Sequence, residues 1–237
     1  MNDQHRFSAF VLERQEELGR GHYLRLARVH LRNRYEDGSL SAPYFCEYVD
    51  RPSHGTDAVV LALWRRNPRT QSIEVLLRKG LRPALRFGRE AARLTVPDER
   101  EYGLFCEAVA GILEADEKGE AGIKRRAVQE ALEEAGVRLS EQNVVSLGHR
   151  CFPSPGMTPE AFHLLAAEVV DEQGMAEIPQ GDGSPMEEGA EVFWCSLEDA
   201  LHLCEDGTIQ DAKTELLLFR LAQALGRQGS EGARRSV

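Results

Sequence analysis

Strand-like and helix-like segments alternate irregularly along this chain, and hairpins crowd its first half. That order argues for a mixed sheet flanked by helices rather than a doubly wound parallel fold. FSAFVLERQ and YLRLARVHLRNRY read as strands, EDGS (36–39) as a turn, and APYFCEYVDRP as a returning strand before Pro52. Together they predict a small antiparallel sheet over residues 6–51, too small to be stable alone. RPSHGT (51–56) reads as a linker. DAVVLALWRR (57–66) and IEVLLRKG (73–80), joined by NPRTQS, predict a hairpin, and LFCEAVAGIL (104–113) a further strand. Strands are also expected over 144–152, 162–170 and 190–196. Helices are expected over 120–136, from Ser196 to Gly207, and over 212–225. The division expected is an N-terminal β-sheet unit at 1–55, a main domain at 56–225 and a disordered polar tail at 226–237.

Charge narrows the function. The 237 residues carry 29 Lys+Arg against 39 Asp+Glu, a net charge of −10, which speaks against a nucleic-acid polymer as partner. The excess is local: residues 151–212 hold 14 acidic and no basic side chains, whereas residues 65–100 hold ten basic and four acidic. A solvated acidic surface and a cation site both fit the acidic stretch. No run reaches the roughly 18–20 apolar residues that span a bilayer, so no membrane partner is expected. MNDQHRFSAF lacks the profile of a secretion signal, and the expected location is cytoplasmic. The five cysteines show no C-x-x-C spacing and read as buried thiols without a zinc site.

The chemistry concentrates in VAGILEADEKGEAGIKRRAVQEALEEAGV (109–137). Val128, Ala131, Leu132 and Ala135 form one apolar stripe of a helix that Gly136 ends. Glu130, Glu133 and Glu134 share one face, at spacings that put their Cβ atoms about 5–6 Å apart. Arg126 lies four residues before Glu130, but Ala127 and Gln129 are neutral, so the repulsion reads as unrelieved. A divalent cation would turn it into binding energy, and oxygen-only ligands favour Mg²⁺, Mn²⁺ or Ca²⁺.

In its setting this string resembles the signature box of the Nudix hydrolases: Gly, five residues, Glu, seven residues, then Arg-Glu-U-x-Glu-Glu-x-Gly-U, with U apolar. Gly111 matches the opening, and Gln129-Glu130-Ala131-Leu132-Glu133-Glu134-Ala135-Gly136-Val137 the closing half. The departures are Gln129 for the usual Arg, the small Ala131, and 19 positions from Gly111 to Glu130 where the pattern has 15. The box's first Glu is then Glu117 or Glu120. The resemblance extends over about 57–222 and looks like the ADP-ribose and nucleotide-sugar pyrophosphatase branch. Its further signs are Arg82-Pro83, Glu107-Ala108-Val109-Ala110-Gly111, the Ser154-Pro155-Gly156 loop, and Gly207-Thr208-Ile209-Gln210-Asp211-Ala212-Lys213-Thr214.

The resemblance implies an α/β/α sandwich with a mixed β-sheet, plus the small N-terminal antiparallel sheet as a homodimerisation element. It implies metal-dependent cleavage of a nucleoside diphosphate-linked small molecule, ADP-ribose or a nucleotide sugar, into a nucleoside monophosphate and a sugar phosphate. The metal, Mg²⁺ with Mn²⁺ as alternative, would be held by Glu130, Glu133, Glu134 and the carbonyl of Ala110. Glu133 and Glu134 would act in catalysis, joined by Glu188 or Glu187 from the loop 171–190, with Glu191 a weaker candidate. Arg82, Glu107, Pro155, Gly156 and Met157 would bind substrate. Gln129 and the longer loop also admit a catalytically weak Nudix-fold nucleotide sensor.

Overall fold

A computed structural model describes residues 6–170, 179, 185 and 190–235. Its centre is β4 (Ala58–Arg66), which is apolar on both faces because both are covered. Alternate side chains point to opposite layers. Val59, Leu61 and Leu63 meet α2 (Gly119–Ala135), while Val60, Ala62 and Trp64 meet α3 (Leu197–Glu205) and α4 (Ala212–Arg235). The molecule is therefore an α/β/α sandwich around a mixed sheet.

The sheet runs β10 (Glu191–Ser196), β5 (Ile73–Leu81), β4, β9 (Phe162–Glu168), β8 (Val145–Ser146). The β4–β9 pair is parallel and the other pairs are antiparallel. β4 and β5 pair only over Trp64–Arg66 and Ile73–Val75, then splay. Two short strands fill the splay: β6 (Leu104–Glu107) pairs with the far end of β5, and β7 (Val109–Ile112) with the near end of β4. The single strand expected over 104–113 is thus broken at Ala108. Thr214, at the start of α4, stabilises the break by accepting the Ala108 N–H at 2.8 Å.

Three other expectations change. Most of 144–152 is not strand: only Val145–Ser146 pairs as β8, Cys151 makes an isolated bridge to Phe162, and Gly148 turns the chain at φ +100°. A short helix, α1 (Pro83–Gly88), follows β5, where Pro83 suits a first helical turn. The last helix, expected over 212–225, runs as α4 to Arg235. It contains no proline, and each glycine costs a helix only about 1 kcal/mol.

The N-terminal residues form a separate antiparallel sheet, β1 (Phe7–Arg20), β2 (Arg25–Tyr35), β3 (Tyr44–Asp50), in that order. Phe10, Leu12 and Phe45 remain 67%, 60% and 58% exposed on it. Its link to the main sheet is tight. Gly55 lies against the Leu113 carbonyl, which a Cβ would approach to 2.0 Å. The Val49 amide donates to the Met157 carbonyl at 2.9 Å, so β3 abuts the Ser-Pro-Gly loop.

Candidate active site

Helix α2 places its carboxylates against the broken strand. Glu134, 6% exposed, accepts the Ala110 N–H at 2.9 Å through one oxygen and Arg78 of β5 through the other. Glu130, 9% exposed, lies on Gly111: a Cβ there would stand 1.8 Å from its Oε1, so only glycine permits this approach. Glu133 is half-buried and accepts from Gln129 at 2.8 Å. Glu130 and Glu134 therefore meet Gly111 and Ala110 at one locale, while Glu133 turns to Gln129. α2 ends at Gly136, whose φ of +65° closes the helix beneath it.

The repulsion among these carboxylates is relieved, contrary to the sequence expectation. Arg126 reaches Glu117 at 3.0 Å, Glu130 at 3.5 Å and Glu114 at 4.0 Å, with 12% of its side chain exposed. Burial opposes its charge, but the Glu117 contact, then Glu130 and Glu114, raise its pKa above the ordinary value. Glu117 also accepts the Glu114 N–H at 2.7 Å. Of the two candidates for the box's first Glu, Glu117 takes the interior position; Glu120 is 82% exposed and pairs with Lys124. The four extra positions amount to about one helical turn. They leave Gln129 on Glu133 and bring Arg126, one turn earlier, to Glu117 and Glu130. A reading limited to nearest box positions missed this contact; the i, i+4 spacing of Arg126 and Glu130 carried it.

A second cluster lines the mouth of the splay. Glu107, 1% exposed, accepts from Arg82 at 3.1 and 2.5 Å and from Lys213 at 2.8 Å. Lys213 also donates to Asp211 at 2.7 Å, and Asp211 accepts the Thr214 hydroxyl and its N–H. Burial alone would raise the Glu107 pKa, yet the Lys213 ammonium and Arg82 guanidinium hold it below the ordinary glutamate range. Glu107 therefore orients two cations, and Arg82, 42% exposed, offers the outward face. Lys213 sits in a quoted sequence pattern, but residue type alone gave it no role.

The remaining candidates are placed as follows. Pro155, Gly156 and Met157 form an exposed turn, with Met157 N bonded to Ser154 O at 2.9 Å. Glu187 and Glu188 lie outside the described residues. Glu191 begins β10 and pairs with Lys79 at 3.4 Å. His163 bonds Asp57 at 3.0 Å. All five cysteines are free, and burial pushes the Cys106 thiol up to about 11, leaving no thiolate nucleophile there at neutral pH.

The donors suit a hard divalent cation. All are oxygens, and Gly111 leaves Glu130 room against the β7 backbone. Among the described residues no three His, Cys, Asp or Glu side chains converge as a ready-made cage. Instead Arg78 and Arg126 supply the positive charge.

No family model matches the chain. Over 119 residues, half of this chain, it is 36% identical to the GDP-mannose pyrophosphatase of Cronobacter sakazakii, covering 56% of that relative. Over 118 residues it is 33% identical to the GDP-mannose pyrophosphatase of Escherichia coli K12, again 56% of the relative. The chain thus matches about half the length of these curated relatives. The crystal structure of an ADP compounds hydrolase aligns with a TM-score of 0.62 over 94% of this chain and 97% of that one. Their identity is 13%, so what they share is the fold.

The Glu107 cluster makes a pH prediction. A carboxylate whose folded pKa is depressed contributes stability above its unfolded pKa, roughly 4.3. That contribution is lost as pH falls through the lower folded value. Glu107→Gln should cost about 2 kcal/mol at pH 7, since it removes the charged acceptor that Arg82 and Lys213 share, while Asp211 still holds Lys213. The gap to wild type should narrow progressively as urea titrations are taken below about pH 4. A gap of constant size from pH 7 to 3 would refute the ion-pair account.

Proposed function

We propose that this chain, a member of the Nudix family in its ADP-ribose and nucleotide-sugar pyrophosphatase branch, hydrolyses the diphosphate of ADP-ribose or a nucleoside diphosphate sugar. The products are a nucleoside monophosphate and a sugar phosphate. The observation that carries the reading is the seating of Glu130 and Glu134 on Gly111 and Ala110, beside the Arg82–Glu107–Lys213 cluster. Sequence likeness to GDP-mannose pyrophosphatases supports it.

Nudix hydrolases use divalent metals. Here Glu130, Glu133, Glu134 and the Ala110 carbonyl would hold Mg²⁺, with Mn²⁺ as alternative. Such an ion neutralises phosphate charge and lowers the pKa of bound water. The chain's own part is positioning. Arg82, aimed by Glu107, receives the diphosphate, and Arg126 fixes Glu130 relative to the loop that carries Glu117. Water attacks one phosphorus as the bridging P–O bond breaks. A carboxylate accepts the water proton, and the leaving phosphate departs on the sugar. Glu133 or Glu134, or Glu187 or Glu188 of the loop 171–190, is the proposed base. The turn Pro155–Met157 would contact the substrate. Gln129 motivated the alternative of a weak sensor, but Arg126 supplies the guanidinium that Gln129 lacks, which favours the enzyme.

The unit 1–55 is proposed to pair two copies of the chain, covering Phe10, Leu12 and Phe45. Among the described residues no helix is long and apolar enough to cross a membrane. Five free thiols accord with the proposed cytoplasmic location.

Turnover tests the reading. With Mg²⁺, at least one of ADP-ribose, GDP-mannose or UDP-glucose should yield a monophosphate. Glu133→Gln and Glu134→Gln should each slow that reaction by about a hundredfold or more. No product from any of them, with either metal, would end the enzyme reading; undiminished turnover in both variants would end the site assignment. The pairing has its own test. In sedimentation velocity the wild type should run as a dimer and Phe10→Glu as a monomer; a monomeric wild type would reject it.

A further inference from the structure

The segment between α1 and β6 builds a pocket that the proposed hydrolysis does not yet use. A hollow of about 400 Å³ has Leu85 and Phe105 as its half-buried apolar lining, Val96 and Pro97 exposed at its edge, and Arg89, Asp98, Tyr102 and Gln210 as its polar lining. That volume lies within the range of small-ligand sites. The polar lining is braced. Asp98 accepts from Arg89 at 2.8 Å, from the Tyr102 hydroxyl at 2.7 Å and from the Arg100 N–H at 3.1 Å. Arg100 in turn donates to the Gly207 carbonyl at 2.6 Å, tying this segment to the turn before α4.

The pocket adjoins the cationic cluster on three sides. Phe105 and Glu107 are two residues apart on β6, so they share a face about 6.6 Å apart. Phe105 is in register with Gly80, and a Cβ on Gly80 would be 3.4 Å from both Arg78 and Glu107. Leu85 sits one turn beyond Arg82, its N–H bonded to the Arg82 carbonyl at 2.9 Å. Gln210 precedes Asp211, the acceptor of Lys213.

We infer that this pocket binds the sugar end of the substrate, with Gln210 and the Asp98–Tyr102 pair meeting its hydroxyls and Phe105 its C–H face. The inference rests on the diphosphatase reading for its place beside the phosphates. The chemistry favours a sugar over a base. The Tyr102 ring already carries the Arg89 guanidinium, 5.7 Å from its centroid, so that side of the lining offers a base no free face. A hydroxylated ring needs what the pocket has: an apolar lining, an amide, a phenol and an ionised carboxylate. The Tyr102 hydrogen bond, followed by the Arg100 amide and Arg89, holds Asp98 below the usual carboxylate range.

Calorimetry on the full chain tests this without turnover. Mannose 1-phosphate, glucose 1-phosphate and ribose 5-phosphate are titrated beside inorganic phosphate, GMP and AMP. At least one sugar phosphate should bind about tenfold or more tightly than inorganic phosphate. Gln210→Ala, at an exposed side chain, and Tyr102→Phe should each weaken that ligand about three- to tenfold and leave GMP and AMP unchanged. Equal affinity for sugar phosphate and inorganic phosphate, unchanged sugar-phosphate binding in both variants, or equal losses for the nucleotides, would overturn the assignment. Wild-type turnover is read separately. Sugar-phosphate selectivity without turnover would sink the hydrolase and keep the pocket; turnover without selectivity would do the reverse.

Discussion

Glu134 is held from two sides at once. Arg78 comes from β5 and the Ala110 amide from β7, and these strands lie on opposite sides of the splay in the main sheet. One buried carboxylate therefore fixes helix α2 to both walls of the cleft. Removing Arg78 would strand the buried Glu134 charge, a loss that typically costs about 3–5 kcal/mol. The same contact sets the height at which Glu130, one turn earlier, meets Gly111. The site's geometry thus depends on a strand that breaks at Ala108, and Thr214 stabilises that break by accepting the one amide it frees.

Charge balance follows the same logic. The arginine-rich run 65–100 is largely committed to carboxylates: Arg65 to Glu74, Arg78 to Glu134, Arg82 to Glu107 and Arg89 to Asp98. Where such a pair is open to solvent, as with Arg89 and Asp98, it contributes little to stability, but every pair decides where its guanidinium points. Arg82 is directed at the cleft mouth by a partner that is itself buried. The run is therefore less a general attractant for phosphate than a set of aimed groups.

Much of this was legible in the sequence. The two-faced apolar run 58–64 is the central strand. The stripe Val128, Ala131, Leu132, Ala135 predicts α2 to within a residue, although Leu132 itself is 37% exposed while Ala127 joins the buried face. The seating of Glu130 and Glu134 follows from their spacing and from Gly111. Other features were not legible because they arise from tertiary pairing. Nothing local in LFCEAVAGIL says that its halves pair with different strands. The ion pairs of Arg78 and Lys213 join residues 56 and 106 positions away, beyond any local pattern. Arg126 was within reach of a local argument, yet its Glu117 contact depends on the path of the loop that precedes the helix.

Glu130 and Glu134, which Arg126 and Arg78 face, are the carboxylates proposed to hold the metal. Titration of Mn²⁺ followed by electron paramagnetic resonance measures this directly, without substrate or turnover. Wild-type chain should remove free Mn²⁺ from solution with saturable binding, and Glu130→Gln should weaken that binding about tenfold or more. Arg126→Met should alter Mn²⁺ affinity as well, because it removes the cation that faces Glu130. Binding that is absent in wild type, or identical in wild type and Glu130→Gln, would contradict the account.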